Sequence, residues 1–243
     1  MSGSKADIIA QLQKEILPLQ GFRSSAKAPL IDLGLGAIRN AFPNRSFPLG
    51  AIHEFSAPLP EQAAATGGFI AAMLSSLMQN GIAVVWISLN RTVFPPALKQ
   101  FQVDPARVIF IDLQRSKDIL WATEEALKCG GLGAVISEIA ELGFTASRRF
   151  QLAVEQSGVT GFILRTSSRK LTPTASLTRW IISPLPSISM DGLPGVGFPR
   201  WNVQLQKVRN GKPGSWDVEY VAGRLRHLTA LKAVAAEKIT QTA

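Results

Sequence analysis

The chain has 243 residues, 46% hydrophobic and 18% charged, enough for one large α/β domain with extensions or two small domains, and too apolar for wholesale disorder. Its single cysteine, Cys129, excludes an internal disulfide, and the lack of an apolar signal core or membrane-length apolar run makes a soluble cytoplasmic protein the expectation. The net charge of +9 is uneven: residues 1–50, 51–142 and 143–243 carry +3, −3 and +9, so the last segment offers a basic face to nucleic acid, to an acidic protein or simply to solvent.

Asp7–Leu19 reads as an amphipathic helix with Ile8, Ile9, Leu12, Ile16 and Leu17 on one face. Residues 21–46, with their prolines, serines and glycines, read as a linker in which Leu30–Ile38 has room for a short element. From Phe47 strands and helices alternate. A strand at Phe47–Phe55 is followed by an apolar helix at Phe69–Met78 and a buried strand at Ile82–Ser88. Further strand-like runs at Val108–Ile111, Ala134–Ile136 and Gly161–Leu164 are separated by helical patterns at Phe94–Phe101, Lys117–Leu127 and Ala146–Gln156. Near-continuous apolar strands are what a parallel sheet covered on both faces requires.

The pattern then changes. Arg179–Ser183 and Trp201–Val208 read as strands, and Arg209-Asn-Gly-Lys-Pro-Gly214 is a turn leading to Ser215–Tyr220, which together describe an antiparallel hairpin. Ser187–Pro199 reads as a surface loop. Gly223–Ala243 reads as a basic helical tail whose stripe is Leu225, Leu228, Leu231 and Val234, with Arg224, Arg226 and Lys232 beside it. The division expected is a helix at 1–20, a linker at 21–46, a core at 47–222 and a tail at 223–243.

The stretch Leu59-Pro-Glu-Gln-Ala-Ala-Ala-Thr-Gly-Gly68 lies between a strand and a helix, where a nucleotide phosphate loop belongs. That loop needs G-x-x-x-x-G-K-[ST]. Here the last glycine and the lysine fall on Ala64 and Ala65, and only Thr66 remains. Alanine does not take the positive φ that glycine allows without strain. Glu61 adds a carboxylate whose repulsion of a phosphate charge is about 3 kcal/mol at roughly 5 Å and an effective dielectric of about 20. His53 and His227 have no second ligand at metal-binding spacing, and Ser137 and Ser147 lack a nucleophile-elbow context. No catalytic residue, metal or cofactor is expected.

The composite of Leu49-Gly-Ala-Ile-His-Glu54, Leu120-Trp-Ala-Thr-Glu-Glu-Ala-Leu-Lys-Cys129, Thr145-Ala-Ser-Arg-Arg149 and Pro199-Arg-Trp201 with Gly214-Ser-Trp216 resembles the ImuA family over roughly Phe47–Tyr220. The resemblance implies a degenerate RecA-like P-loop-NTPase fold: α/β, a mostly parallel sheet covered by helices on both faces, with a C-terminal antiparallel hairpin. It implies a non-catalytic role in SOS-induced translesion synthesis with RecA, ImuB and an error-prone polymerase as partners. A SulA-like division inhibitor that binds FtsZ and an ATP-dependent recombinase are the rival readings. In a RecA-type ATPase, Asn90 would stand where a carboxylate activates water, and Ser137 or Glu138 where an aspartate binds magnesium. The two DNA loops would be reduced to about Ala140–Phe144 and to Arg165–Pro173, the latter offering Arg165, Arg169 and Lys170 to phosphate. Lys207, Arg209 and Lys212 would form a basic hairpin tip. Ile8, Leu12 and Ile16, and at the other end Leu225, Leu228, Leu231, Arg224 and Arg226, are the candidate partner-binding stripes. Trp121 reads as a core residue or an interface residue, and Glu124 and Glu125 as solvent-facing. Weak nucleic-acid binding and self-association stay open.

Overall fold

Proline, alanine and apolar spacing decide where the first helix starts. In the computed structural model, which describes residues 31–78, 81–166, 172–187 and 197–228, strand β1 (Ile52–Ser56) is followed at once by helix α1 (Pro60–Leu77). Pro60 at the first helical position is preset for helical φ, and the alanines that follow are the strongest helix formers. The order then runs β2 (Ala83–Ser88), β3 (Val108–Asp112), α2 (Ser116–Lys128), β4 (Leu132–Ile139), α3 (Phe144–Ser157) and β5 (Thr160–Arg165). It ends with β6 (Thr178–Leu185), β7 (Arg200–Val208), β8 (Gly214–Val221) and β9 (Arg224–His227).

Among the described residues these strands form one sheet in the order β3-β2-β4-β5-β1-β6-β7-β8-β9. All pairs from β3 to β6 are parallel, and β6-β7, β7-β8 and β8-β9 are antiparallel. The fold has the α/β arrangement expected, a mostly parallel sheet with helices on both faces and antiparallel strands after it. Alternation along the buried strands divides the core. Val84, Trp86, Ala134 and Ile136 face α1, where Phe69, Ile70, Met73 and Leu74 pack with Trp180 and Trp201. Val85, Ile87, Val135 and Ile163 face α2 and α3, packing on Ile119, Leu127, Phe150 and Val154.

Two expectations are corrected. The described part of the supposed linker is core: Leu33, Leu35, Ile38, Ala41 and Phe42 are buried on the α1 side, in and around two 3-10 segments, Gly36–Ala41 and Pro43–Arg45. The Gly34 carbonyl accepts from the Leu225 N–H at 2.9 Å, and the Ala41 carbonyl from the Lys212 N–H at 2.9 Å, so this segment is bonded to the far edge of the sheet. Its short three-residue turns show neither the 3.6 nor the 2 period, which is why it reads as a linker. The tail does not start as a helix. Ala222 and Gly223 both take positive φ, +50° and +80°, a two-residue turn that returns the chain as β9. Leu225 is buried while Arg224 and Arg226 point out, an alternation of period two. Leu228 is half-buried at the end of β9. Ile8, Leu12 and Ile16, like Leu231 and Val234, lie outside the described residues.

Candidate functional site

The expected phosphate loop is helical throughout. Three residues, Ala57-Pro58-Leu59, connect β1 to α1, and the Ala63 N–H donates to the Leu59 carbonyl at 2.9 Å. From Ala63 on, the amides that would close round a phosphate are spent on helix hydrogen bonds. Pro60 has no N–H, and Glu61 in the first turn answers the positive end of the helix dipole with its own carboxylate. Thr66 is fully buried, and its hydroxyl points into protein rather than toward an opening. Ala64 and Gly67 instead wall an apolar groove.

That groove, of about 500 Å³, runs between α1 and the 3-10 helix Pro95–Phe101, above the carboxyl ends of the parallel strands. Phe94, Leu98 and Phe101 form the wall opposite α1, and Trp86, Leu164 and Trp201 the floor. Gly68 lets Trp201 and Phe101 approach α1: a Cβ there would sit 3.1 and 3.2 Å from the two rings. At Gly67 a Cβ would meet nothing within 4 Å.

Strand parity settles which residue of Ser137 and Glu138 faces this groove. Ser137 turns to the other side and hydrogen-bonds Thr123 of α2 at 2.6 Å. Glu138 turns to the groove, where Trp86 Nε1 donates to its Oε1 at 2.8 Å and the Thr92 hydroxyl donates at 3.4 Å. Burial pushes the Glu138 carboxyl up, the two hydrogen bonds oppose that, and Asp112 adds to it. Asn90 is exposed and does not line the groove; Thr92, two residues on, does. Trp86 and Thr92 carry no sequence signal of their own. Their partner Glu138 is 46 or more positions away, and only the sheet order brings them together.

The DNA-contact set divides. Arg165 is a buried ion-pair residue, its Nη1 3.0 Å from Glu54 Oε1. Arg179 holds the other Glu54 oxygen at 3.2 Å, and the Thr174 hydroxyl donates to the same oxygen. Arg165 therefore balances a fully buried carboxylate and is not offered to phosphate. This corrects the sequence reading, because side-chain charge alone does not say what it faces. Arg169 and Lys170 lie outside the described residues. The Lys207 ammonium donates to the carbonyls of Thr174 and Ser176, at 3.3 and 3.1 Å, which ties the hairpin base to the loop before β6. Desolvation, with Arg179 and Arg209 nearby, lowers its pKa. Arg209 begins the β7–β8 turn, where its N–H donates to the Leu177 carbonyl at 3.1 Å, and Lys212 is exposed on that turn.

His53 is fully buried on β1. Its Nε2 lies 2.9 Å from the Pro48 carbonyl, which only accepts, so Nε2 carries the proton and Nδ1 accepts from the Thr178 hydroxyl at 2.8 Å. Burial holds its pKa down at about 3, against the raising effect of the Pro48 bond. Among the described residues no cluster of His, Cys, Asp and Glu suits a metal ion, and no helix is long and apolar enough to cross a membrane.

On α2, Trp121 is 67% exposed, so it is a surface residue rather than a core one. Glu124 is largely covered and bridges helices, 2.5 Å from Arg149 of α3 and 3.3 Å from Lys128. That contact accounts for Arg149.

No family model matches the chain. Protein ImuA of Caulobacter vibrioides, in strains NA1000 / CB15N and ATCC 19089 / CIP 103742 / CB 15, is 32% identical over 200 residues, covering 77% of this chain and 82% of the relative. The chain belongs to the ImuA family. Among solved structures, SulA from Pseudomonas aeruginosa matches at a TM-score of 0.41 and 18% identity, over 47% of this chain and 96% of that one. Within this ImuA-family chain, the helical phosphate-loop stretch and the apolar groove it lines are the features that distinguish the carboxyl edge of the sheet.

Proposed function

We propose that this ImuA-family chain is a non-catalytic accessory protein of SOS-induced translesion synthesis, acting in the cytoplasm through contacts with RecA, ImuB and the error-prone polymerase. The observation that carries the reading is α1: from Pro60 onward the phosphate-loop stretch is regular helix, and from Ala63 on its amides are committed to helix hydrogen bonds. Among the described residues no lysine or arginine lines the adjoining groove, and a carboxylate, Glu138, sits on its floor. Such a site repels a nucleotide triphosphate. Exposed Trp121 on α2 is the residue type most enriched in protein-contact hot spots, and it stands beside the Glu124–Arg149–Lys128 network that holds its helix in place.

Two measurements test this. Purified protein should turn over ATP no faster than a blank, and Thr66→Ala should change nothing. Saturable hydrolysis abolished by Thr66→Ala overturns the reading. A pull-down from DNA-damaged cells should recover RecA, ImuB or the polymerase, with Trp121→Ala losing one of them at an unchanged Tm. Recovery of FtsZ alone would instead point to a division inhibitor.

A further inference from the structure

The groove beside α1 is apolar on its walls, and among the described residues exposed apolar side chains adjoin it. Phe94, which lines it, is 69% exposed, and Leu59 and Phe198, 49% and 37% exposed, are the chain neighbours of the lining residues Pro60 and Pro199. Apolar surface therefore continues from the cavity onto the outside of the molecule. A small compound would be satisfied by the cavity alone; a polypeptide segment would cover the rim as well. The wall formed by Ala63, Ala64 and Gly67 has no long side chains, which leaves room for another backbone and its side chains to come close.

One charge faces this space. Glu138 accepts from Trp86 and Thr92, and among the described lining residues it has no cation. A carboxylate holds about four acceptor positions, so capacity remains on the groove side. An anionic ligand would be repelled here and a cationic group drawn in. Gly67 opens on the same space, since a Cβ there meets no atom within 4 Å.

We infer that the groove between α1 and the Pro95–Phe101 helix is a docking site for an apolar, helix-forming segment of a partner protein that places a basic residue against Glu138. This rests on the reading that the chain works through protein contacts, and it names the chemistry of one of them. The partner's apolar stripe fills the cavity and covers Leu59, Phe94 and Phe198. Its lysine or arginine supplies the counter-charge that Glu138 does not have among the described residues. The site thus stands beside the stretch where a phosphate loop would lie, and recognises an apolar, basic peptide in place of an anion.

The test uses the full chain and two probes. The first is a fluorescein-labelled peptide of about 16 residues, long enough to form helix, with leucines at i, i+3, i+4 and i+7 and one lysine beside that stripe. The second is the same peptide with glutamate for lysine. Anisotropy titrations should show the lysine peptide binding about tenfold or more tightly than the glutamate peptide. Glu138→Gln should bring the two within about twofold of each other, since the charge that discriminates them is gone. Gly67→Leu, which fills the cavity, and Phe94→Ser, which removes exposed rim, should each weaken the lysine peptide about tenfold. Circular-dichroism melts of each variant establish that it is folded, and Phe94→Ser serves if Gly67→Leu is not. Equal binding of the two peptides by the wild type overturns the proposal. So does binding that survives both Gly67→Leu and Phe94→Ser. If the neutral dye Nile red binds and is lost in Gly67→Leu while neither peptide binds, the groove takes small apolar compounds, and the docking proposal is wrong. None of these readouts is a pull-down or a turnover assay, so a failure here is told apart from a failure of the functional reading.

Discussion

Glu54 and Arg165 show what one residue can mean in two contexts. Arg165 ends a strand in a basic stretch, and its charge suggests phosphate; in the fold it is 4% exposed and neutralises a carboxylate that is 0% exposed. Removing Arg165 leaves buried Glu54 with only Arg179 and the Thr174 hydroxyl on one oxygen, so Arg165→Ala should cost about 3 kcal/mol in urea unfolding, the lower end for breaking a buried pair. A variant that stays as stable as wild type while losing DNA affinity would show that the arginine serves nucleic acid after all. His53 gives a pH signature. Its pKa is about 3 in the fold against 6.5 when free, so below 6.5 the unfolded chain takes up a proton that the folded chain refuses. Its full contribution is present above pH 6.5 and is lost on acidification, by about 1.4 kcal/mol per pH unit, until the pH nears the folded pKa. Unfolding free energies from urea titrations at ~0.5-unit steps should stay level from about pH 7.5 to 6.5 and fall along that slope toward about pH 5, and His53→Gln should flatten the fall.

At the scale of elements, α1 determines the character of the site. Its adjacent glycines have opposite requirements. Gly67 faces open space, so Gly67→Ala should raise stability by about 0.5–1 kcal/mol through helix propensity. Gly68 lies against Trp201 and Phe101, and Gly68→Ala should lower Tm because the rings must give way. Thermal melts of the two variants shifting in the same direction would contradict this assignment of faces. The opposite behaviour of neighbouring residues follows from the 100° step of the helix, which aims one at the groove and the next at the aromatic floor. Composition alone cannot separate them.

At the scale of the whole molecule, the two ends of the described chain meet. Leu33, Leu35, Ile38 and Phe42 pack on the α1 side of the core, and the backbone of Gly34 bonds β9, so the segment before Phe47 and the last strand hold each other at the sheet edge. Compared with deleting residues 1–30, the longer deletion of 1–46 also removes five buried apolar residues, Leu33, Leu35, Ile38, Ala41 and Phe42, and should abolish cooperative melting. A cooperative, wild-type-like melt after the longer deletion would restore the linker reading. Ending the chain at Val221 removes β9 and buried Leu225 and should likewise lower Tm.

The alternating apolar runs, the Asn210-Gly211 turn and the family motifs suffice, as sequence, for the α/β class, the parallel-to-antiparallel change and the family, because these depend on local periodicity and turn chemistry. So does the loss of the phosphate-loop motif at Ala64 and Ala65, which is a matter of residue identity. What Thr66, Ser137, Glu138 and Arg165 face was left to the tertiary structure. A one-residue change of parity on β4 exchanges the groove for the α2 interface, and a cation's role depends on a carboxylate 111 positions away. The groove itself belongs to neither kind of local signal. It exists because small residues on α1 meet a 3-10 helix and two tryptophans from distant strands, a meeting that only the closed sheet brings about.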